Sequence, residues 1–202
     1  KTHPHVIFYA EGWNMDTEVT KENVTLATQA NSKETPGMAY FSDMIRDAVR
    51  GSNSNASKTG YAAGAGGFAS NVKDSFLGNP TWAKNPSQVV NYVSCHDNYT
   101  LMDKLSLSRK DAARADLIRM NKLAAAIYMT AQGIPFIHAG EEYLREKIAQ
   151  DGHRVENSYN APDFVNQIRW GWLDEADRAE TVEYYKGLIA LRKRFANLRL
   201  AS

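Results

Sequence analysis

The sequence predicts an α/β protein built on a parallel sheet, with reactive groups at the C-terminal ends of its strands. Three observations predict it. Strand-like and helix-like segments alternate along the chain. The β-branched run Val89-Val90-Asn91-Tyr92-Val93 passes abruptly into Ser94-Cys95-His96-Asp97-Asn98. His5-Val6-Ile7-Phe8-Tyr9 repeats the design and runs into Ala10-Glu11-Gly12-Trp13-Asn14. Apolar runs that end in ionisable and amide groups are the pattern of buried parallel strands delivering side chains to a site. Glycine-rich phosphate fingerprints are missing, since Gly64-Ala65-Gly66-Gly67 lacks both the preceding strand and the spacing. Reactive groups at several strand ends therefore favour a barrel over a doubly wound sheet.

Each element has its own local reason. The first strand is expected at about His5 to Tyr9, followed by a polar, weakly periodic segment from Thr17 to Asn31. A short second strand, Met38 to Phe41, follows the break at Pro36-Gly37, and Asp43 is placed to cap a helix over Met44 to Arg50. Residues 51–68 are rich in Gly, Ser, Asn and Ala and read as a mobile surface loop, with a site lid as the other reading. Pro80 and Pro86 mark a second irregular connection before the third strand, Val89 to Val93. Leu117, Ile118, Leu123, Ala124, Ile127 and Tyr128 recur at helical spacing and predict a helix over Asp111 to Ala131, stopped by Gly133. The fourth strand is Ile134 to Ile137, where Pro135 is tolerable only near the strand start. A polar loop over 139–161 precedes a last helix from Ala176 to Phe195, with Leu188, Ile189 and Leu191 as its apolar stripe.

Composition narrows the function. The 202 residues are 43% hydrophobic and 23% charged, with a formal net charge of +1. That balance and the lack of a basic block argue against nucleic acid and anionic membrane as partners. No apolar run approaches the roughly 18 residues of a membrane span. The single cysteine, Cys95, excludes an intrachain disulfide and a cysteine-based zinc site, and reads as a small buried residue near a strand end. The N-terminus begins almost directly on a strand and does not resemble a signal peptide, so the chain looks cut from something longer.

Glu11 and Asp97 each end a strand. With strands roughly 4.8 Å apart, carboxylates on strands separated by one neighbour converge across a pocket. Such a pair suits glycosidic cleavage, in which one acid protonates the leaving oxygen and another stabilises positive charge on the sugar. An apolar wall of Trp13 and Tyr9 would raise the Glu11 pKa for proton donation. His96 and Asn98 beside Asp97 are hydrogen-bonding groups suited to sugar hydroxyls. His96 and His138 both end strands and are close enough in the pattern to meet, although a metal there is the poorer reading. Glu141-Glu142 after Gly140 reads as a solvated helix start. Each of these residues also has a bland reading as a cap or a packing group.

Taken in order, the motifs resemble the barrel of glycoside hydrolase family 13, in its type I pullulanase, glycogen-debranching branch. The segments are Tyr9-Ala10-Glu11-Gly12-Trp13, Phe41 to Gly51, Val90 to Leu105, Gln132 to Glu142, and Glu156-Asn157-Ser158-Tyr159-Asn160-Ala161-Pro162-Asp163. The resemblance implies a partial (β/α)8 TIM barrel over residues 1–202, holding strands five to eight with their helices. It implies that Glu11 is the proton donor and Asp97 the stabiliser of the oxocarbenium-like state. It makes His96 and Asn98 contacts to the sugar at the cleavage point, Trp13 a wall of the adjoining subsite, and Asp163 a contact to the next sugar outward. Gln167 stands where relatives often carry a basic residue.

The implied substrate is an α-glucan with α-1,6 bonds, of the pullulan, glycogen or starch type, and no cofactor is implied. Some family members hold calcium, but no acidic ligand loop is evident here. The family's nucleophilic Asp, in a Gly-Phe-Arg-x-Asp type segment, has no counterpart in these 202 residues. The isolated chain is accordingly expected to hydrolyse little, and open strand edges are expected to promote self-association. The rival readings are isoamylase or else an α-1,4-acting member of the family, and a non-catalytic carbohydrate-binding module. Compartment is not indicated by the sequence.

Overall fold

A computed structural model describes residues 6–13, 15 and 23–199. His5, Asn14 and residues 17–22, the start of the polar stretch, lie outside the described residues. Four short strands form one parallel sheet in sequence order: β1 Phe8–Ala10, β2 Met38–Phe41, β3 Val89–Asn91 and β4 Ile134–Pro135. The registers pair Tyr9 with Ala39, Phe41 with Val90, and Asn91 with Pro135. The β4 strand lies at a sheet edge, where a proline costs no ladder bond on its open side. Among the described residues there are six α-helices: α1 Asp43–Arg50, α2 Ala69–Phe76, α3 Leu101–Ser108, α4 Arg114–Thr130, α5 Asp163–Asn166 and α6 Ala176–Arg194. Among the described residues no helix is long and apolar enough to cross a membrane.

The period of two along the strands separates two cores. On one face, Val93 joins Ile45 and Val49 of α1, Leu101 and Leu105 of α3, and Tyr128 of α4 in the main hydrophobic cluster. On the other, Ala39, Phe41, Val90 and Tyr92 form a smaller cluster with Phe136 packed against it. Phe41 meets Tyr92 and Phe136 edge-to-face at centroid distances of 4.9 and 5.1 Å. Such pairs contribute about 0.5–1.5 kcal/mol each beyond area burial. This aromatic face floors the site described below.

Several elements depart from expectation. The first strand is displaced toward its C-terminal end, to Phe8–Ala10. Ser42, not Asp43, caps α1: its hydroxyl accepts from the Ile45 amide, while Asp43 occupies the first turn. The helices α2 and α3 were not anticipated, because neither carries a long apolar stripe. In α6, Leu188 is buried, but Ile189 and Leu191 are exposed. The Gly/Ser-rich stretch is not a free surface loop. Ala62 and Ala63 are buried in the main cluster, and Gly51 and Gly60 cross backbone against backbone with no room for a Cβ on either.

Candidate active site

Glu11 and Trp13 follow β1 directly, and the turn between them depends on Gly12. Its φ is +66°, and a Cβ there would collide with the Tyr40 ring. From the other side, the chain leaving β3 carries Tyr92, Cys95, His96, Asp97 and Asn98. These segments bound a cavity of about 570 Å³ whose lining also includes Phe41, Asp43, Arg46, Asn53 and Phe136. A cavity of that size matches small-ligand sites of about 300–1,000 Å³.

The fold brings both predicted carboxylates to one imidazole. His96 Nε2 lies 3.9 Å from Glu11 Oε1 and 3.6 Å from Asp97 Oδ1. One ligating atom from each of the three residues falls within 4.8 Å of the others, all on exposed side chains. Exposed acids crowd together without any ion, so this proximity alone assigns no metal role. Glu11 is not enclosed by an apolar wall: its side chain is 54% exposed. The reason is position, since β1 is an edge strand with no described neighbour on its outer flank.

Groups that the sequence reading passed over complete the wall. The Arg46 guanidinium donates to the Tyr92 hydroxyl at 2.8 Å and lies 5.8 Å from the centroid of the Trp13 ring. Burial pushes the Tyr92 phenol up to about 12, against the opposing pull of Arg46, so it stays neutral. Cys95 is half-buried, and burial raises its thiol further, which leaves it a weak nucleophile. Phe41 and Phe136 alternate with core residues at strand ends, a signal that could have identified them.

A second cavity of about 220 Å³ shares His96 and Asp97 with the first and is lined further by His138, Arg145, Lys147 and Asn166. Both histidines therefore border one cavity, with His96 exposed and His138 buried. Burial, with the Arg145 charge next, holds the His138 imidazole down to about 3. Arg145 Nη1 stands 3.3 Å from His138 Nε2, which then accepts and leaves the proton on Nδ1. Asn98 holds a left-handed φ of 60°; its amide donates to Asn157 Oδ1 at 2.9 Å. Asp163, exposed at the start of α5, lines neither cavity.

The Glu141-Glu142 pair is not a solvated helix start. Glu141 is buried and accepts from Ser94 at 2.5 Å, Tyr128 at 2.8 Å and Tyr185 at 3.0 Å. Burial pushes its carboxyl up to about 7.

No protein-family model matches the chain. A pullulanase of Bacillus subtilis is 38% identical over 212 aligned residues, which take in all of this chain and 28% of that protein. A pullulanase from Paenibacillus barengoltzii, solved in complex with maltohexaose and α-cyclodextrin, superposes with a TM-score of 0.91 at 39% identity, covering 100% of this chain and 31% of its own. A pullulanase from Anoxybacillus sp. LM18-11 complexed with maltotetraose gives a TM-score of 0.90 at 39% identity over 98% of this chain and 28% of its own. The parallel sheet and its helices therefore match the pullulanase catalytic domain. Along its whole length the chain is a homologue of the pullulanases, which are glycoside hydrolases, and it spans less than a third of the relatives it matches.

Proposed function

We propose that these residues form the proton-donor side of an α-glucan debranching site, cleaving α-1,6-glucosidic bonds, on strands five to eight of a (β/α)8 barrel. The observation that carries this reading is the convergence of Glu11, His96 and Asp97 over an aromatic floor at the C-terminal ends of parallel strands. Residues 1–202 are read as the C-terminal half of that barrel.

In this mechanism the Glu11 carboxylic acid gives its proton to the glycosidic oxygen as the bond from that oxygen to the sugar C1 breaks. Positive charge spreads over C1 and the ring oxygen, and the Asp97 carboxylate stabilises it. His96 and Asn98 donate to hydroxyls of that sugar, and Trp13 covers the neighbouring ring. Asp163 serves a sugar further out. A retaining route also needs a carboxylate that attacks C1, and the sequence holds no Gly-Phe-Arg-x-Asp type segment to provide it. That group belongs to an upstream barrel half.

The test joins such an upstream half to this chain and follows reducing-sugar release from pullulan. Glu11→Gln should lower turnover about 10²–10⁴-fold while maltotetraose binding persists. Release of maltotriose identifies the α-1,6 bond as the one cut; α-1,4 products would move the reading to another member of the family. Unchanged turnover in the Gln variant would overturn the catalytic role and leave sugar binding alone.

A further inference from the structure

Lys147 is 1% exposed, yet no carboxylate bonds its ammonium among the described residues. Its Nζ donates instead to three main-chain carbonyls: Asn98 at 2.5 Å, Glu156 at 2.8 Å and His96 at 3.3 Å. An ammonium has three donors, so all of them are spent on backbone. Two of the three carbonyls belong to the residues that flank Asp97. The third belongs to the stretch that leads to Asn157, whose side chain holds the Asn98 amide. The Asn98 residue is thus gripped at both its N–H and its C=O, in a left-handed conformation that few side-chain-bearing residues adopt.

The surrounding charges give Lys147 no other task. Asp103 of α3, fully buried, accepts from the Lys147 main-chain amide at 2.9 Å and from Arg154 at 2.6 Å. Arg145 and His138 border the same cavity and repel or ignore a cation. Asp97 and Cys95 face it from the β3 side only at a distance. A buried charge whose partners are all carbonyls is costly unless their geometry is exacting.

We infer that Lys147 is a positioning residue: through the His96 and Asn98 carbonyls it fixes the direction in which Asp97 meets the sugar, without touching the sugar itself. The inference rests on the reading of Asp97 as the charge-stabilising acid. A planar guanidinium could not satisfy three carbonyls converging on one point, so the role is specific to lysine.

The experiment uses the full 202-residue chain and Lys147→Met, which keeps the apolar stem and deletes the donors. Without sugar, the Asn98 amide should exchange with solvent about a hundredfold faster while the Val90 amide of β3 keeps its protection; a merely structural loss would speed both. With maltotetraose, affinity should fall about tenfold, as expected for a displaced binding group. Asn98 exchange and affinity both at wild-type values would overturn the inference. Should Lys147→Met fail to fold, the unmodified chain decides by ¹⁵N-lysine and ¹⁵N-histidine resonances. The Lys147 Nζ signal must move with added maltotetraose, and a still Lys147 beside a moving His96 would overturn the inference. If neither Trp13 nor His96 responds to maltotetraose in the unmodified chain, the sugar-site reading fails by itself, and sugar-free Asn98 exchange still judges the part of Lys147.

Discussion

Ser94 donates its hydroxyl to the buried carboxyl of Glu141 across 2.5 Å, which ties the strand end carrying His96 and Asp97 to the segment following β4. Tyr128 of α4 and Tyr185 of α6 close on the same carboxyl. Sheet and helix layers thus share one polar knot directly beneath the site.

That knot has a measurable pH signature. The Glu141 carboxyl is raised to about 7 from an ordinary 4.5, so the folded chain keeps a proton that the unfolded chain releases between those values. The stability it contributes is present below pH 4.5 and is lost as pH rises toward 7. His138 acts in the opposite sense: held down to about 3 from 6.5, it stays neutral in the fold, and stability falls as pH drops from 6.5 toward 3. Glu141→Gln should therefore gain on the wild type as pH rises from 4.5 to 7, while the loss of stability in acid persists. Glu141→Ala, which leaves the buried Ser94 and Tyr128 hydroxyls without their acceptor and Tyr185 with Asn121 alone, should cost about 3 kcal/mol. Urea unfolding of the three chains at several pH values checks both; a Gln-to-wild-type difference that does not vary with pH would contradict the first.

Gly12 makes a second prediction, because it is the hinge between the acid and the aromatic wall. Gly12→Ala places a methyl into the Tyr40 ring at a φ of +66°. Strain of this kind costs about 1–3 kcal/mol. The chain can relieve it only by moving Glu11 and Trp13, so denaturant midpoint and maltotetraose affinity should fall together. A variant with wild-type affinity would show that the turn is set by something else.

The parts of this fold that could be read from sequence are those whose signal is local. Met38–Phe41 and the helix containing Leu117, Ala124 and Tyr128 were legible because strand and helix periods are properties of short windows. The convergence of Glu11, His96 and Asp97 was legible because the segments that carry them end apolar runs. Residues 51–68 were not, because what orders them is distant: Lys104 donates to the Asn55 and Ala56 carbonyls at 2.6 and 3.1 Å, and Arg109 to Ala63 at 2.6 Å. A window that sees only Gly, Ser and Asn contains no trace of those donors. The same blindness hid Lys147 and Glu141, whose bonds to the Ser94–Asn98 segment span 47 to 51 positions.

The open flank of β1 supports a third prediction. Among the described residues β1 has no partner on its outer flank, and Ile7, Phe8 and Tyr9 there are each more than half exposed. Unpaired strand edges with apolar side chains pair readily with other chains. Sedimentation velocity of the 202-residue chain should show mass that rises with concentration, and Phe8→Lys should reduce it. A single species of monomer mass at all concentrations would refute this.

The last prediction concerns turnover by these residues alone. Glu11 can give a proton and Asp97 can stabilise positive charge, but neither role supplies the attacking carboxylate that a retaining cleavage requires. Both acids stand within 4.8 Å of the same imidazole and line the same cavity. On the proposed reading that spacing joins the proton donor to a stabiliser, not to a nucleophile, so it carries no information on stereochemical outcome. The 202-residue polypeptide should accordingly bind maltotetraose yet release reducing sugar from pullulan no faster than its Glu11→Gln variant. Reducing-sugar assays on both chains, at matched concentration, make the comparison. A wild-type rate that clearly exceeds the variant's would mean that some carboxylate on this chain attacks C1 after all, and Asp43, which lines the same cavity, would be the first to replace.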